Sequence, residues 1–451
     1  MNGELPEGWT SFALTHIGGV SGGKTPSKTN AAFWSSPDVP WISPKDMKRN
    51  MLDNSEDRIS RIALDEASMV LYPAGSVLMV TRSGILQHTF PVALASVDLT
   101  VNQDIKVIRP VEGMNPKFMF YLIKNFANDI LSVCSKDGTT VQSIDSEKLE
   151  NFSLPLPPAA EQNRIAQKID ELLSQVDTLQ ARIDAIPALL KRFRQSVLRA
   201  AVCGKLTTGF FTEKGHSWSY KKASDVCEKV QSGGTPKMGF SETGIPFLKV
   251  YNIVNQKINF EYRPQYILDK IHTSSSAKSV TKAGDVVMNI VGPPLGKIAT
   301  IPATHKEWNI NQALTLFRPS SDITSGWISI VLEGGDSLQN IMNETKGSAG
   351  QVNISLSQCR NFIFPVPSPA EQTEIVRRVE QLFAFADQLE AKVASAKKRI
   401  DHLTQSILAK AFRGELVPQD PNDEPASVLL ERIKAQRAAV PKAKRGRKVS
   451  G

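Results

Sequence analysis

The sequence predicts an α+β protein in which two related globular modules are separated by two long helices that pack as an antiparallel coiled coil. Three observations predict this class. A long helical segment, residues 154–207, recurs without a gap at 364–417. Each copy carries an apolar seam. The segments that precede the copies, 1–153 and 211–363, share short strand-like stretches. A long internal repeat of this kind indicates two similar halves, here related by an approximate two-fold axis.

Both copies of the repeat have clear starts and ends. The sequence LPLPPAAEQ at 154–162 matches FPVPSPAEQ at 364–372, and the copies end near Gly204 and Gly414. Proline suits the first turn of a helix and glycine suits the residue after its end, so each copy reads as one helix. Pro187 lacks a backbone N–H and predicts a kink in the first helix.

Apolar residues alternate at spacings of four and three along both copies, which is the pattern of a coiled-coil seam. The predicted seam positions are Ile165, Ile169, Leu172, Val176, Leu179, Ile183, Ile375, Val379, Leu382, Leu389, Val393 and Ile400. A two-fold relation between the halves makes the two helices antiparallel, so that each buries its seam against the other. The alternative is a pair of ordinary amphipathic helices within a larger core.

The globular modules are also copies, but much more diverged ones. SGGKTP at 21–26 matches SGGTP at 232–236, and VNQDIKVIRP at 101–110 matches INQALTLFRP at 310–319. These short apolar runs bounded by Gly, Pro and Asn predict strands and turns. The polar segments between them differ completely, which is typical of one scaffold that binds two different targets through its loops.

The predicted organisation has five parts. They are a first module at 1–153, a central helical spacer at 154–210, a second module at 211–363, a C-terminal helical spacer at 364–419 and a basic tail at 420–451. A chain of 451 residues is long enough for two or more cores, and its 22% charged and 41% hydrophobic residues are typical of globular protein.

Composition also narrows the environment in which the protein works. The four cysteines and six histidines are scattered, which predicts neither disulfides nor a zinc site. No apolar run reaches membrane-spanning length, and the N-terminus lacks the pattern of a secretion signal. We therefore expect a cytoplasmic protein without a membrane partner.

The net charge of +9 is concentrated near the C-terminus. Residues 434–451 contain seven basic residues and no acidic one, so the rest of the chain is close to neutral. Such a tail is typically solvated and disordered, although it can add nonspecific attraction to phosphates. A DNA-binding surface in the body of the protein must therefore arise from clustering.

One stretch, Gly18–Thr25, fits the phosphate-loop pattern GxxxxGK[ST]. A working phosphate loop needs a helix directly after it, whereas Pro26 follows here and the next residues lack helical periodicity. We interpret the stretch as a glycine-rich turn, with an ATP site as the alternative. The motifs of serine hydrolases, zinc proteases and dinucleotide-binding enzymes do not occur, so we expect a chain without catalytic residues.

Four helical segments resemble those of a known family. LPLPPAAEQNRIAQKIDELLSQVD, LKRFRQSVLRAAVCGKL, AEQTEIVRRVEQLFAFAD and LTQSILAKAFRGEL are similar to the helices of the specificity subunit of type I restriction–modification enzymes, in its enterobacterial K-12-like form. The resemblance implies that each module is a target recognition domain that reads one half of a bipartite, asymmetric site in double-stranded DNA. The helices would set the spacing between the half-sites.

The resemblance also implies partners and cofactors. Two modification (methyltransferase) subunits would dock on the helices, and two restriction subunits, which are ATP-dependent translocases and endonucleases, would complete the complex. The chain itself would bind no cofactor and no metal. S-adenosylmethionine, ATP and Mg would be used by the partner subunits.

Residues that read DNA are expected in the polar loops, because base edges suit Arg, Lys, Asn and Gln while phosphates suit Lys, Arg, Ser and Thr. The candidates are Lys24, Lys28, Lys45, Lys48, Arg49, Arg82, Lys136 and Thr139 in the first module and Lys237, Lys249, Tyr251, Asn252, Lys297, Lys346 and Gln351 in the second. The alternative for each is a solvated surface side chain. The recurring pairs Asn102-Gln103 and Asn311-Gln312 are interpreted as structural turn residues.

Two other functions remain open at this point. One is a coiled-coil scaffold whose end modules bind proteins or sugars, and the other is a phosphate-loop ATPase. Within the resembled family, a specificity subunit of a methylation-only or differently cleaving system is a further alternative.

Overall fold

The computed structural model describes residues 4–136, 142–208, 218–292, 294–344 and 353–439. The chain divides into two compact units. The first unit is Met1–Ile183 together with Ala396–Gly451, and the second is Asp184–Ser395. Two long helices, Ala159–Val202 and Pro369–Ala411, contribute one half each to both units.

The first unit combines short strands with helices in the order expected of an α+β protein. Its elements are β1 (Thr10–Phe12), α1 (Leu14–Ile17), β2 (Ser21–Gly22), β3 (Val39–Ile42), β4 (Met51–Leu52), β5 (Asp57–Ile59), α2 (Arg61–Glu66), β6 (Val77–Val80), β7 (Val92–Ala95), β8 (Thr100–Val101), β9 (Ile105–Ile108), α3 (Pro116–Asn125), α4 (Ala127–Cys134), β10 (Ser135–Lys136), β11 (Ser143–Ile144), α5 (Ser146–Glu150), β12 (Leu154–Leu156) and the first half of α6 (Ala159–Val202).

A five-stranded sheet in the order β2-β9-β6-β7-β4 forms the centre of the first unit. Strand β6 pairs with β9 in antiparallel register, with Leu78 opposite Val107, and all four of its residues are buried. A continuous apolar run suits this position because the strand is covered on both faces. A second sheet, β5-β3-β8, contains the parallel pair β3–β8, and β1 pairs with β12.

The second unit starts within α6 and has its own strands and helices. They are β13 (Ser219–Lys222), α7 (Ala223–Val226), β14 (Cys227–Ser232), β15 (Phe240–Ser241), β16 (Ile245–Leu248), β17 (Ile253–Val254), β18 (Lys257–Ile258), β19 (Tyr266–Ile267), α8 (Asp269–Thr273), β20 (Val280–Thr281), β21 (Val286–Asn289), β22 (Ile298–Thr300), β23 (Trp308–Ile310), β24 (Leu314–Pro319), α9 (Ser325–Gly334), α10 (Asp336–Glu344), α11 (Leu356–Arg360), β25 (Ile363–Val366) and the first half of α12 (Pro369–Ala411).

The second unit repeats the topology of the first. Its sheet β14-β24-β21-β22 corresponds to β2-β9-β6-β7, and its parallel pair β16–β23 corresponds to β3–β8. The edge pair β13–β25 corresponds to β1–β12. The predicted α+β class, with two equivalent modules and two long helices, is confirmed.

The two long helices pack antiparallel in each unit. In the first unit, Ile165 and Ile169 from the start of α6 share a core with Ile407 and Ala411 from the end of α12. In the second unit the ends are exchanged, with Val197 and Ala201 of α6 packed near Ile375 and Val379 of α12. Arg194 of α6 also binds Glu390 and Asp387 of α12, at 2.8 and 2.6 Å.

The seam is buried unevenly along its length. Five of the twelve predicted seam positions are buried, namely Ile165, Ile169, Val176, Ile375 and Val379. Six others are partly buried, and one is exposed. The exception is Leu179, which is 44% exposed, so the prediction that it lies in a buried seam is wrong. Leu179 lies beyond the stretch of α6 that the core of the first unit covers. A strict seven-residue repeat also rotates gradually around a straight helix, so that its positions do not all stay on the buried face. Helix α6 continues through Pro187 to Val202.

The C-terminal segment differs from the expectation of a solvated tail. Residues Ala426–Ala439 form a helix, α13, that packs on the first unit. Its Ala426, Leu429, Leu430 and Ile433 are buried in the core of that unit. These buried residues lie within the segment assigned to the tail, 420–451, but precede its basic stretch at 434–451. Residues 440–451 lie outside the described part of the chain.

Candidate functional site

Each long helix begins with a glutamate and a glutamine whose side chains are buried. Glu161 and Gln162 are 1% and 0% exposed at the start of α6, and Glu371 and Gln372 are 5% and 0% exposed at the start of α12. Glutamate and glutamine are seldom buried unless hydrogen bonds replace their contacts with water. Their partners therefore show what holds each module to its helix.

The glutamate of each pair binds the residue just before the first strand of the module. Trp9 donates its indole N–H to Glu161 over 2.9 Å, and Trp218 donates its indole N–H to Glu371 over 3.2 Å. Thr207 also donates its hydroxyl to Glu371 over 2.9 Å. Burial raises the pKa of Glu161. The same bond thus joins the beginning of each module to the start of a long helix.

The glutamine of each pair binds the helix that lies across the module. Gln162 Oε1 accepts from the backbone N–H of Asn115, the N-cap of α3, over 3.1 Å. Gln372 Oε1 accepts from the N–H of Thr324, the N-cap of α9, over 2.9 Å. In the sequence, these two residues indicate only the start of a helix. The sequence feature that marks their structural role is a Glu-Gln pair that recurs unchanged at the start of both apolar seams.

In both modules the glycine-rich segment packs against the end of the strand that directly precedes the Asn-Gln pair. A side chain on Gly23 would approach the carbonyl oxygen of Val101 to 1.7 Å, and one on Gly233 would approach that of Ile310 to 2.2 Å. Thr25 donates its hydroxyl to Gln103 over 2.6 Å, and Thr235 donates to Gln312 in the same way. This close fit supports the structural interpretation of the recurring glutamines.

The local structure around Lys24 is unlike that of a phosphate loop. Ser21–Gly22 form strand β2, and the N–H of Lys24 donates to the carbonyl of Val101 over 3.1 Å. The next element is a 3-10 helix at Ala31–Phe33, so the segment does not lead directly into the N-terminus of an α-helix as a phosphate loop does. The geometry therefore favours the glycine-rich turn.

Three candidates of the first module lie together after strand β3. Lys45, Lys48 and Arg49 line one surface depression of about 420 Å³. Lys45 binds Asp57 and Glu56 at 2.8 and 3.2 Å, and the hydrogen bond with Asp57 raises the pKa of Lys45. Exposed ion pairs of this kind are weak and exchange partners readily, so a DNA phosphate can replace the carboxylates.

The other candidates of the first module lie in two further places. Lys24 and Lys28 are exposed, and Lys28 lines a depression of about 500 Å³ together with Asp57, the carboxylate that binds Lys45. Arg82 and Lys136 both pair through their backbones with Ser143, and their side chains bind Asp104 at 2.6 Å and Asp145 at 3.4 Å. Thr139 lies outside the described residues.

In the second module, the described candidates lie in three connections, after β14, after β16 and before β22. Lys237 is exposed, and Lys249 places its ammonium 5.4 Å from the ring centre of Phe240. Tyr251 donates its hydroxyl to the carbonyl of Arg263 over 3.2 Å. Lys297 is partly exposed, and Lys346 and Gln351 lie outside the described residues.

Asn252 is wrongly predicted as a DNA-reading residue. It is fully buried, accepts from the N–H of Lys249 over 3.0 Å, and donates to the carbonyls of Asn259 and Tyr262. Such an amide holds a turn together and cannot reach a base. Sequence reasoning also missed Met238, which is 81% exposed beside Lys237. An exposed apolar side chain is of the type that contacts a thymine methyl group when a loop enters the major groove.

Comparison with known proteins decides the family. The model of the type I restriction modification DNA specificity domain matches residues 6–188 and 216–396. The chain belongs to the type I restriction–modification specificity subunit family. Each match contains one globular module and the first part of the long helix that follows it. This specificity subunit therefore consists of two copies of one DNA specificity domain.

Relatives and solved structures agree with this membership. The chain is 30% identical to the EcoKI specificity subunit of Escherichia coli K12, over 99% of both chains. It is 35% identical to the EcoBI specificity subunit of Escherichia coli, over 72% of both. The crystal structure of the HsdS subunit from Thermoanaerobacter tengcongensis matches with a TM-score of 0.62 at 20% identity, over 92% of this chain and 99% of that one. That likeness shows the shared fold.

Family membership also settles the broad function. The specificity subunit confers DNA sequence specificity, and nothing in the comparisons supports a scaffold that binds proteins or sugars. Among the described residues there is no group of three or more metal-ligating side chains placed to hold an ion. Across the same described ranges, no helix is long and apolar enough to cross a bilayer.

Proposed function

We propose that each unit of this specificity subunit reads one half of a bipartite, asymmetric DNA site. One observation carries this proposal: the same topology presents different side chains at equivalent places. The connection after β3 presents Lys45, Lys48 and Arg49, whereas the equivalent connection after β16 presents Lys249 and Tyr251. Two modules that share one scaffold but carry different loop side chains are expected to read different base sequences.

The two long helices set the distance between the half-sites. Helices α6 and α12 span both units and pack on each other within each of them. Their lengths are therefore the natural determinant of half-site spacing, as dimer geometry is in other DNA-binding proteins.

The same helices dock two modification subunits. Four large apolar side chains on them are exposed, Leu179 and Leu403 in the first unit and Leu189 and Phe385 in the second, at 42–55%. Exposed apolar groups on a helix mark a surface that a partner covers. Two restriction subunits complete the complex. S-adenosylmethionine belongs to the modification subunits, ATP and Mg to the restriction subunits, and the complex works in the cytoplasm.

A module exchange tests the half-site assignment. The first module, residues 1–153, is replaced by the corresponding segment of the EcoKI specificity subunit, and the methylated sequences in a strain that carries the hybrid with its modification subunit are mapped. We expect one half-site to change and the other half-site to stay as in the parent. A change in both half-sites would contradict the assignment of one half-site to each unit.

A further inference from the structure

The segment between β18 and β19 of the second unit carries an exposed tip, Tyr262 and Arg263. Tyr262 is 48% exposed, and Arg263 is exposed as well. The guanidinium of Arg263 lies 5.3 Å from the centre of the Tyr262 ring, so the two side chains form a cation–π pair. Within the described part of the chain, no carboxylate binds this guanidinium. The tip therefore presents an arginine fork whose N–H donors are available to a ligand.

The backbone of the tip has an uncommon shape. Arg263 has a φ of +55°, in the left-handed region that glycine adopts most readily. A turn that needed only this shape would be better served by glycine, whereas the chain carries a long cationic side chain here. Uncommon backbone conformations of non-glycine residues concentrate at functional sites. The conformation therefore points to a role for the Arg263 side chain itself.

Two side chains of the connection after β16 hold the backbone of the tip. Asn252, which is fully buried, donates its amide to the carbonyl of Tyr262 over 3.0 Å. Tyr251 donates its hydroxyl to the carbonyl of Arg263 over 3.2 Å, and its ring packs edge-on against Tyr262, with 6.1 Å between ring centres. Two adjacent carbonyls of the tip thus have fixed donors. A group that is held in place before binding loses less conformational freedom when it binds.

The tip occupies the place where the first unit gathers its cations. In both units the strand after this segment pairs antiparallel with the strand before the connection, β19 with β16 and β5 with β3. Counted from that pairing, Tyr262 and Arg263 take the place of Asn54 and Ser55. Asn54 and Ser55 line the depression that also contains Lys45, Lys48 and Arg49. The second unit therefore places its cation on the tip, whereas the first unit places its cations on the connection.

We propose that Arg263 reads a guanine in the half-site of the second unit, with its guanidinium fork on the major-groove edge of that base. Arginine binds guanine O6 and N7 through two N–H groups, which is the commonest specific contact of a protein with a base. The ring of Tyr262 supports the guanidinium, and Tyr251 and Asn252 are positioning residues that hold the tip. The inference rests on the half-site assignment proposed above for the choice of half-site, but not for the contact with guanine.

The change Arg263→Ala tests the base contact. The variant is made in the full chain and assembled with the modification subunits, and the methylated sequences are mapped in a strain that carries them. One G·C position of the parent target should then accept every base pair. The parent complex should bind its target roughly 5- to 150-fold more tightly than a duplex altered at that position, and the variant should bind both duplexes almost equally.

Lys270→Ala is the matched control, because it removes one exposed cation from α8 of the same unit. It should leave the base preference unchanged at every position. Uniform weakening of the Arg263→Ala complex on all sequences, with a salt slope lower by about 1 and no relaxed position, would overturn base reading and make Arg263 a phosphate ligand. A relaxed A·T position would overturn the contact with guanine. An unchanged target and affinity would remove the tip from the interface.

The module exchange described above separates this inference from the half-site assignment. A relaxed position in the half-site that stays constant in the exchange supports both. A relaxed G·C position in the half-site that changes with the first module would overturn the assignment of units, whereas it would still support base reading by Arg263.

Tyr251→Phe tests how the tip is held. The change removes only the hydroxyl that binds the carbonyl of Arg263 and keeps the ring beside Tyr262. Discrimination at the same base pair should fall about 2- to 10-fold, while affinity for a random-sequence duplex stays the same. Tyr266→Phe removes a hydroxyl from the neighbouring strand β19 and should leave discrimination unchanged. Full discrimination in Tyr251→Phe, or an equal loss of affinity for every duplex, would overturn the positioning role.

Discussion

Carboxylates shielded from water play two opposite parts in this protein. Glu161 and Glu371 accept indole N–H groups and join modules to helices. Glu333 lies in the last turn of α9, where the helix dipole disfavours a negative charge, and burial raises its pKa to about 7. The equivalent helix α3 carries Lys124 in its last turn, a charge that suits the position. Glu333 is therefore a cost to folding at neutral pH.

Replacing Glu333 by Gln should stabilise the protein in a pH-dependent way. The folded state keeps its proton up to about pH 7, whereas the carboxyl of the unfolded chain loses it near 4.5, so the wild-type loses stability as pH rises between these values. Urea unfolding should show almost no gain for the variant at pH 4, below the pKa of the unfolded carboxyl, and a gain of about 1–3 kcal/mol at pH 8. The exposed Glu242→Gln change is the control. A gain of the same size at every pH would contradict this cause.

Among the elements, the long helices bury one face and leave apolar groups exposed on another. The ends of α6 and α12 are covered by module cores, whereas Leu189 and Phe385 are each 55% exposed in the second unit. A helix pair can bury only one contact line, so these side chains are available to a partner. Helix α13 shows the opposite case, because its apolar residues are covered within the first unit.

Charging the exposed helix face of the second unit should remove one modification subunit. The double change Leu189→Asp and Phe385→Asp leaves the folded core intact and places two carboxylates at the proposed interface. The mass of the purified complex, measured by light scattering, should fall by one modification subunit. Met238→Asp, which is 81% exposed on the loop between β14 and β15 of the same unit, is the control and should leave the mass unchanged. Retention of both subunits by the double variant would remove this face from the docking model.

In the whole molecule, the long helices and the module loops have different roles: the helices act on the distance between half-sites, and the loops act on the base sequence that is read. The helices repeat closely and belong to both units, whereas the loops on the common module scaffold differ. A change in helix length should therefore act on half-site spacing and leave the half-site sequences unchanged.

Deleting one heptad from each helix tests this separation. Removing residues 180–186 from α6 and 390–396 from α12 preserves the four-three seam and shortens each helix by about 10 Å. At about 3.4 Å per base pair, the gap in the methylated target should shrink by about three base pairs. Deleting 180–186 alone breaks the seam register and should abolish methylation. Altered half-site sequences in the double deletion would refute the spacing role.

Local sequence patterns determined much of this protein. The repeat predicted two equivalent modules, and the four-three spacing predicted long paired helices. These predictions succeeded because periodicity and helix-end residues act through neighbours in the chain. The resemblance of the helical segments led to the family, which the comparisons then established.

Tertiary structure decided what depends on distant neighbours. Asn252 is polar and follows a strand, yet it is fully buried, and its amide binds the backbone of Lys249 and of Asn259 and Tyr262 beyond the next hairpin. Leu179 fits the seam but lies where the core ends, and α13 buries an apolar face within a segment assigned to the tail. The burial of a side chain is set by whatever packs against it, and residues far away in the chain supply that packing. The sequence alone therefore determined the repeat and its helices, and the fold determined which polar residues hold the structure and which remain free to meet DNA.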